Sequence, residues 1–287
     1  MEERGETEQK VVVENMELHG IFDSHAHYFD RRFEQESEGG ADAILNAVLG
    51  GTVGGIINVG TNPATSRAAI GQAKRYDGMY AAVGIHPEDG HFLCAEDALD
   101  DLRTLLGTTQ TRARDKIVAI GEIGLDYHAE AFGEAPLDRR LEAFLFDEQL
   151  TLAGKEDLPV IIHDRDAHGD VFEAVLRHPD VRGVMHSFSG SPELAREYVR
   201  RGWYISFSGT LTFRNASRVR EAALAVPHDR LLIETDCPYL APHPFRGSLN
   251  HSGMLIHTVA ALAELWGCDP QEAADRTAEN AEKLFLP

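Results

Sequence analysis

The chain has no run of 18 apolar residues, so no membrane-spanning helix is expected. Its opening stretch carries Glu2, Glu3, Glu6, Glu8 and Glu14 where an export signal needs an apolar core, and none is expected. Cysteine is scarce: Cys94, Cys237 and Cys268 show no CxxC or CxC spacing, which argues against a disulfide framework and a cysteine zinc site and favours a cytoplasmic location. Positive charge is short as well. With 27 Lys and Arg against 47 Asp and Glu, the net charge of −20 works against non-specific attraction to a polyanion, so a nucleic-acid partner has to be drawn by a local site. The one glycine cluster, Gly50 to Gly55, lacks the GK[ST] ending of a phosphate-binding loop and precedes a strand; it reads as a turn.

What is present is an ordinary folding composition, 43% hydrophobic and 26% charged, together with 14 histidines in 287 residues. Eight apolar runs of strand length are bounded by turn residues: Ile21–Ser24, Gly54–Val59, Tyr80–Ile85, Ile117–Leu125, Pro159–Ile162, Gly183–Met185, Tyr204–Phe207 and Leu231–Thr235. Helical periodicity fills the gaps. Pro136 opens a segment with Leu137, Leu141, Phe144 and Leu145 on one face, and Ser191-Pro192 reads as a cap before a helix-opening proline. Leu255, Val259, Leu262 and Trp266 share a face, and Asp269-Pro270-Gln271-Glu272 starts a last helix towards Leu284. With no linker to divide it, the chain is expected to form a single (β/α)8 TIM barrel over residues 20–287 behind an acidic tail, residues 1–19. An open doubly wound sheet is the alternative; it would gather ligand residues at one switch point.

The chemistry sits at the carboxyl ends of the runs. Alternation in Asp23-Ser24-His25-Ala26-His27 turns His25 and His27 to one side, where two imidazoles can grip one metal. The fourth run carries Glu122 among apolar neighbours, a burial that demands compensation by a metal, an arginine or a lysine. His163, His186 and Asp236 follow the fifth, sixth and eighth runs. One lone histidine after an apolar run is more often a hydrogen-bonded core residue than a ligand. Such groups at the same end of five runs instead suit two divalent ions, Zn²⁺, Mn²⁺ or Mg²⁺, bridged by a carboxylate and suited to phosphodiester hydrolysis. His86 and Arg165 face the same mouth and are candidate phosphate contacts, although Arg165 could equally pair with Asp164 or Asp166. Asp126 could orient a ligand or cap a loop. Cys237 reads as a packed side chain; His19, His91, His168, His178, His228 and His257 read as surface or capping residues.

The motifs DSHAH, GIHP, GEIGLDY, HSFSG, SFSGTLTFRNA, ETDCPYLAP and TAENAEKLF occur in the order seen in TatD-like metal-dependent deoxyribonucleases, which the chain resembles from Ile21 to Phe285. The resemblance implies that His25, His27, Glu122 and Asp236 hold one metal, and that Glu122, His163 and His186 hold the second. Glu122 is then the bridge, and Asp236 also orients or deprotonates the attacking water. It further implies a 3′ to 5′ exodeoxyribonuclease; a D-aminoacyl-tRNA deacylase, an ester or amide hydrolase, is the alternative because one branch of the family is associated with that work. Relatives tend to follow Arg-Gly with more basic residues, whereas here the run is Arg246-Gly247-Ser248-Leu249-Asn250-His251-Ser252. Short or single-stranded DNA 3′ ends are therefore the expected partner, with no membrane and a monomer or weak oligomer.

Overall fold

The computed structural model describes residues 16–128 and 138–286. Eight strands form one parallel sheet in sequence order: β1 (Ile21–Ala26), β2 (Val53–Val59), β3 (Met79–Val83), β4 (Ile117–Asp126), β5 (Val160–Arg165), β6 (Gly183–Met185), β7 (Tyr204–Phe207) and β8 (Leu231–Ile233). Helices return each strand to the next, and the first and last strands meet. The Asp236 N–H donates to the His25 carbonyl and the His27 N–H to the Cys237 carbonyl, both at 2.9 Å. This is a (β/α)8 barrel, not an open doubly wound sheet. No helix of the described residues is long and apolar enough to cross a membrane.

The strands read as continuous apolar runs because both of their faces are covered. Phe22, Ile57, Val59, Ala82, Ile161 and Leu232 form an inner cluster, and the last helix, Pro270–Phe285, adds Ala281, Leu284 and Phe285 to it. Alternate residues such as Ile56, Ala81, Ile120 and Ile162 belong to the larger cluster that includes the surrounding helices. The caps at Ser191 and Asp269 are present, accepting from the Leu194 and Gln271 N–H groups. Pro136 and Leu137 lie outside the described residues. Within the helix Arg139–Glu156, Phe144 is exposed, and Phe146 is buried with Leu145 in its place on the inner face. The turn read at Gly50 to Gly55 is shorter than expected, since β2 already begins at Val53.

Two glycines let the strand ends approach closely enough to form the mouth. A Cβ on Gly84, just beyond β3, would stand 2.7 Å from the Gly121 carbonyl carbon and 2.9 Å from the Glu122 oxygen. Gly124 has φ +149°, and a Cβ there would meet the His163 carbonyl at 1.9 Å. A buried carboxylate fastens β1 to β8. Asp23 accepts from the Thr235 N–H and hydroxyl at 2.9 and 2.7 Å, from the Ser252 hydroxyl at 2.7 Å and from the His25 N–H at 3.3 Å. Burial nevertheless pushes its carboxyl up to about 6. Asp23→Ala, which leaves those buried donors unpaired, is expected to lower stability by about 3 kcal/mol or more, read from urea unfolding. A loss below about 1 kcal/mol would mean that the clamp does not hold the barrel's seam.

Candidate metal centre

His25 and His27, at and just past the end of β1, bring their Nε2 atoms to 3.0 Å of each other. Glu122 Oε2 lies 3.3 Å from the first and 3.6 Å from the second. Asp236 Oδ1 lies 3.9 and 3.4 Å from them. The other Glu122 oxygen, Oε1, lies 2.8 Å from His163 Nδ1, 3.4 Å from His186 Nε2 and 3.6 Å from His86 Nε2. Four of the residues expected to bind metal, His25, His27, His163 and His186, therefore converge on a fifth, Glu122, itself only 4% exposed, and Asp236 stands beside the first two. Three groupings have the mutual spacing of a metal site: His25 with Glu122 and His186; His25 with His27 and Asp236; and His86 with Glu122 and His163.

What stands behind each ring decides which nitrogen carries the proton. The Val59 carbonyl can only accept, so His27 donates Nδ1–H to it at 2.7 Å and turns a lone pair at Nε2 towards Glu122. Asp126 Oδ2 accepts from His163 Nε2 at 2.9 Å, leaving Nδ1 as the inward nitrogen. Glu234 Oε1 stands 2.9 Å from His186 Nδ1, off the line of a good hydrogen bond but close enough to favour the proton there. His86 is the opposite case. Its Nδ1 accepts the Glu88 N–H at 3.2 Å, so the neutral ring presents an N–H at Nε2 and no lone pair. Burial holds it neutral, down to about 3. Of the three groupings, the one containing His86 fits a metal least.

The electrostatics are those of a donor set carrying protons where cations would sit. Burial alone would raise Glu122, but the imidazoles gathered around it, the proton-loaded His186 among them, and the hydrogen bond from His163 hold it well below the usual carboxylate range. Burial would lower His163, yet hydrogen bonds to Asp126 and Glu122 push it up to about 10. His186, also opposed by burial, is raised to about 9 by Glu234 and Glu122. His25 is lowered by burial and by His186, and its Nδ1 has no hydrogen-bond partner among the described residues. A nitrogen and oxygen donor set with two proton-loaded imidazoles fits divalent cations.

Several expectations are refined by the geometry. Asp126 backs His163 and also accepts the His128 N–H, so it both orients and caps. Arg165 pairs with neither Asp164, which holds His168, nor Asp166, which holds His128; among the described residues the carboxylate it reaches is that of Asp126, at 3.9 Å. His257, expected as a surface or capping residue, is buried against Phe245. Cys237 is buried, and burial pushes its thiol up, as suits a packed side chain. Glu234 and Asp23 were missed: only their places inside the ETD and DSHAH motifs could have flagged them, because nothing local reveals the partner across the barrel.

A barrel whose strand ends carry these donors defines a metal-dependent hydrolase. The family model described as TatD related DNase matches residues 22–286. YabD of Bacillus subtilis, a metal-dependent hydrolase, is 39% identical over 268 residues, 92% of this chain and 98% of its own. The solved structure of YjjV, a TatD homolog from Escherichia coli, superposes with a TM-score of 0.80 at 32% identity, covering 93% of this chain and 98% of that one. A TatD family hydrolase from Entamoeba histolytica shares the fold, with a TM-score of 0.79 at 20% identity over 95% of this chain and all of that one. The chain belongs to the TatD family of metal-dependent hydrolases.

Proposed function

We propose that the protein is a 3′ to 5′ exodeoxyribonuclease acting on short or single-stranded DNA ends. The observation that carries this reading is the convergence of four imidazoles on the two oxygens of Glu122, with Asp236 alongside two of them. His25, His27, Glu122 and Asp236 would hold one ion, and Glu122, His163 and His186 the second. Two divalent ions there supply Lewis acidity and a nucleophile from water near neutral pH, the means of in-line phosphodiester displacement. Asp236, whose side chain is 17% exposed and lines the cavity, orients or deprotonates the attacking water. His86 donates its Nε2–H to a phosphate oxygen, and the half-exposed Arg165 clamps the phosphate from the rim. The name of the matching family model supports DNA as the substrate.

One observation favours a second reading. The cavity of about 440 Å³ beside the centre is walled by Asp30, Glu88, Asp89 and Asp126, a surrounding that suits the ammonium of an aminoacyl ester, as on a D-aminoacyl-tRNA. The deciding experiment is digestion of 3′-labelled and 5′-labelled single-stranded DNA with Mg²⁺, Mn²⁺ or Zn²⁺, beside a panel of D-aminoacyl esters and a chelator control. Metal-dependent shortening from the 3′ end is expected. Ester turnover without any DNA shortening would overturn the nuclease reading in favour of the second.

A further inference from the structure

Among the described residues two cavities flank the candidate metal centre, and they share His163, Arg165, His186, Asp236 and Tyr239. The first carries the acidic wall just described. The second, of about 450 Å³, is different in kind: Phe188, Val219 and Leu240 give it an apolar side. Its one carboxylate outside the centre, Asp164, is nearly buried and already hydrogen-bonded to His168 at 2.8 Å. Ser187 and Thr210 line it and are joined through the fully buried Ser208, Ser187 to Ser208 and Ser208 to Thr210 each at 3.1 Å, so the hydroxyls at both ends of the chain face the cavity.

We infer that the second cavity is the subsite for the nucleoside attached to the scissile phosphate. The inference rests on the phosphodiesterase reading above and adds where the substrate's non-reacting part goes. A phosphate seated at the centre has two directions in which its substituents can extend. The first cavity is polar and carries few apolar groups, whereas the second offers apolar surface for a base or sugar face, within the volume usual for small-molecule sites. The hydroxyl chain explains how such a subsite tolerates different bases. Each hydroxyl both donates and accepts, so the three can reverse direction together and meet either a donor or an acceptor on the base edge. Recognition by surface and reversible hydroxyls reads a nucleoside without reading its identity.

The test compares two esters with the same leaving group on the Mn²⁺-loaded protein: thymidine 5′-(p-nitrophenyl phosphate) and methyl p-nitrophenyl phosphate. The wild type is expected to prefer the nucleoside ester at least about tenfold in kcat/KM, a gain of the size that remote binding contributes. Val219→Trp fills the cavity from the helix Ser217–Ala225, and Ser189→Trp, at an exposed rim position, blocks it without touching the core. In both variants the ratio of the two kcat/KM values is expected to fall about tenfold or more, with thermal melting confirming the fold. Equal loss on both esters, or an unchanged ratio in the correctly folded Ser189→Trp protein, would overturn the subsite while leaving the phosphodiesterase reading intact. Turnover of neither ester by the wild type would overturn that reading and the subsite with it.

Discussion

Glu122→Gln is expected to reduce metal-supported hydrolysis by about 10³-fold or more, equivalent to about 4 kcal/mol of transition-state stabilisation. The two oxygens of Glu122 face different halves of the centre: Oε2 towards His25 and His27, Oε1 towards His163 and His186. A glutamine of the same shape retains one oxygen and turns an NH₂ donor towards the other half, where a lone pair is required of a bridging ligand. The residue is 4% exposed and the replacement keeps its shape, so no cavity is opened, but it removes the carboxylate charge beside His163 and His186, and thermal melting is used to confirm that the barrel still folds. Steady-state kinetics with elemental analysis of bound metal would show both the activity loss and fewer ions per chain. Activity retained within tenfold would overturn the proposal that Glu122 bridges two ions.

The second large effect is on the coupling between metal, pH and stability. His163 and His186 sit well above their ordinary value in the metal-free protein, at about 10 and about 9. For a group raised in the folded state, the stabilisation is complete below its unfolded value of about 6.5 and is lost as pH climbs through the folded value. The metal-free protein is therefore expected to lose stability between about pH 6.5 and 10 from these groups. A metal ion held by both imidazoles would displace the same two protons, so its apparent affinity would rise with pH, by up to about 100-fold per unit while both are protonated. At a fixed free Mn²⁺ concentration well above Kd, that adds up to about 2.7 kcal/mol of metal-dependent stability per pH unit. Melting curves with Mn²⁺ and with chelator at pH 6, 7 and 8 should diverge as pH rises. A constant difference across that range would show that neither imidazole gives up a proton to the metal.

The contrast between His86 and the other histidines marks where reading the chain alone stops. HxH at the end of β1, His163 in β5 and His186 after β6 were legible because apolar runs end in them and strand alternation gives the HxH pair a common side. His86 follows an apolar run in the same way. Its difference comes from Glu88, two residues on, whose N–H occupies Nδ1 because His86 caps the short helix Pro87–Gly90. That cap could in principle be read from the Pro87 that follows. The carbonyl of Val59 behind His27 and the carboxylate of Glu234 behind His186 could not, since they come from 32 and 48 residues away on other strands.

The chain's own pattern gave the eight strands, their order in a barrel and the six candidate donors at or near the strand ends, because apolar patterning and the chemistry of strand ends are local properties. Phe144 and His257 show the limit of that patterning: which apolar or polar face is covered depends on the neighbouring helix or loop. Only the tertiary structure decided which nitrogen of each imidazole faces Glu122, that Asp23 ties β1 to Thr235 and Ser252, and that an acidic and an apolar cavity flank the centre. Tautomers, buried clamps and cavity walls are set by partners far apart in the chain, and closure of the barrel is what brings those partners together.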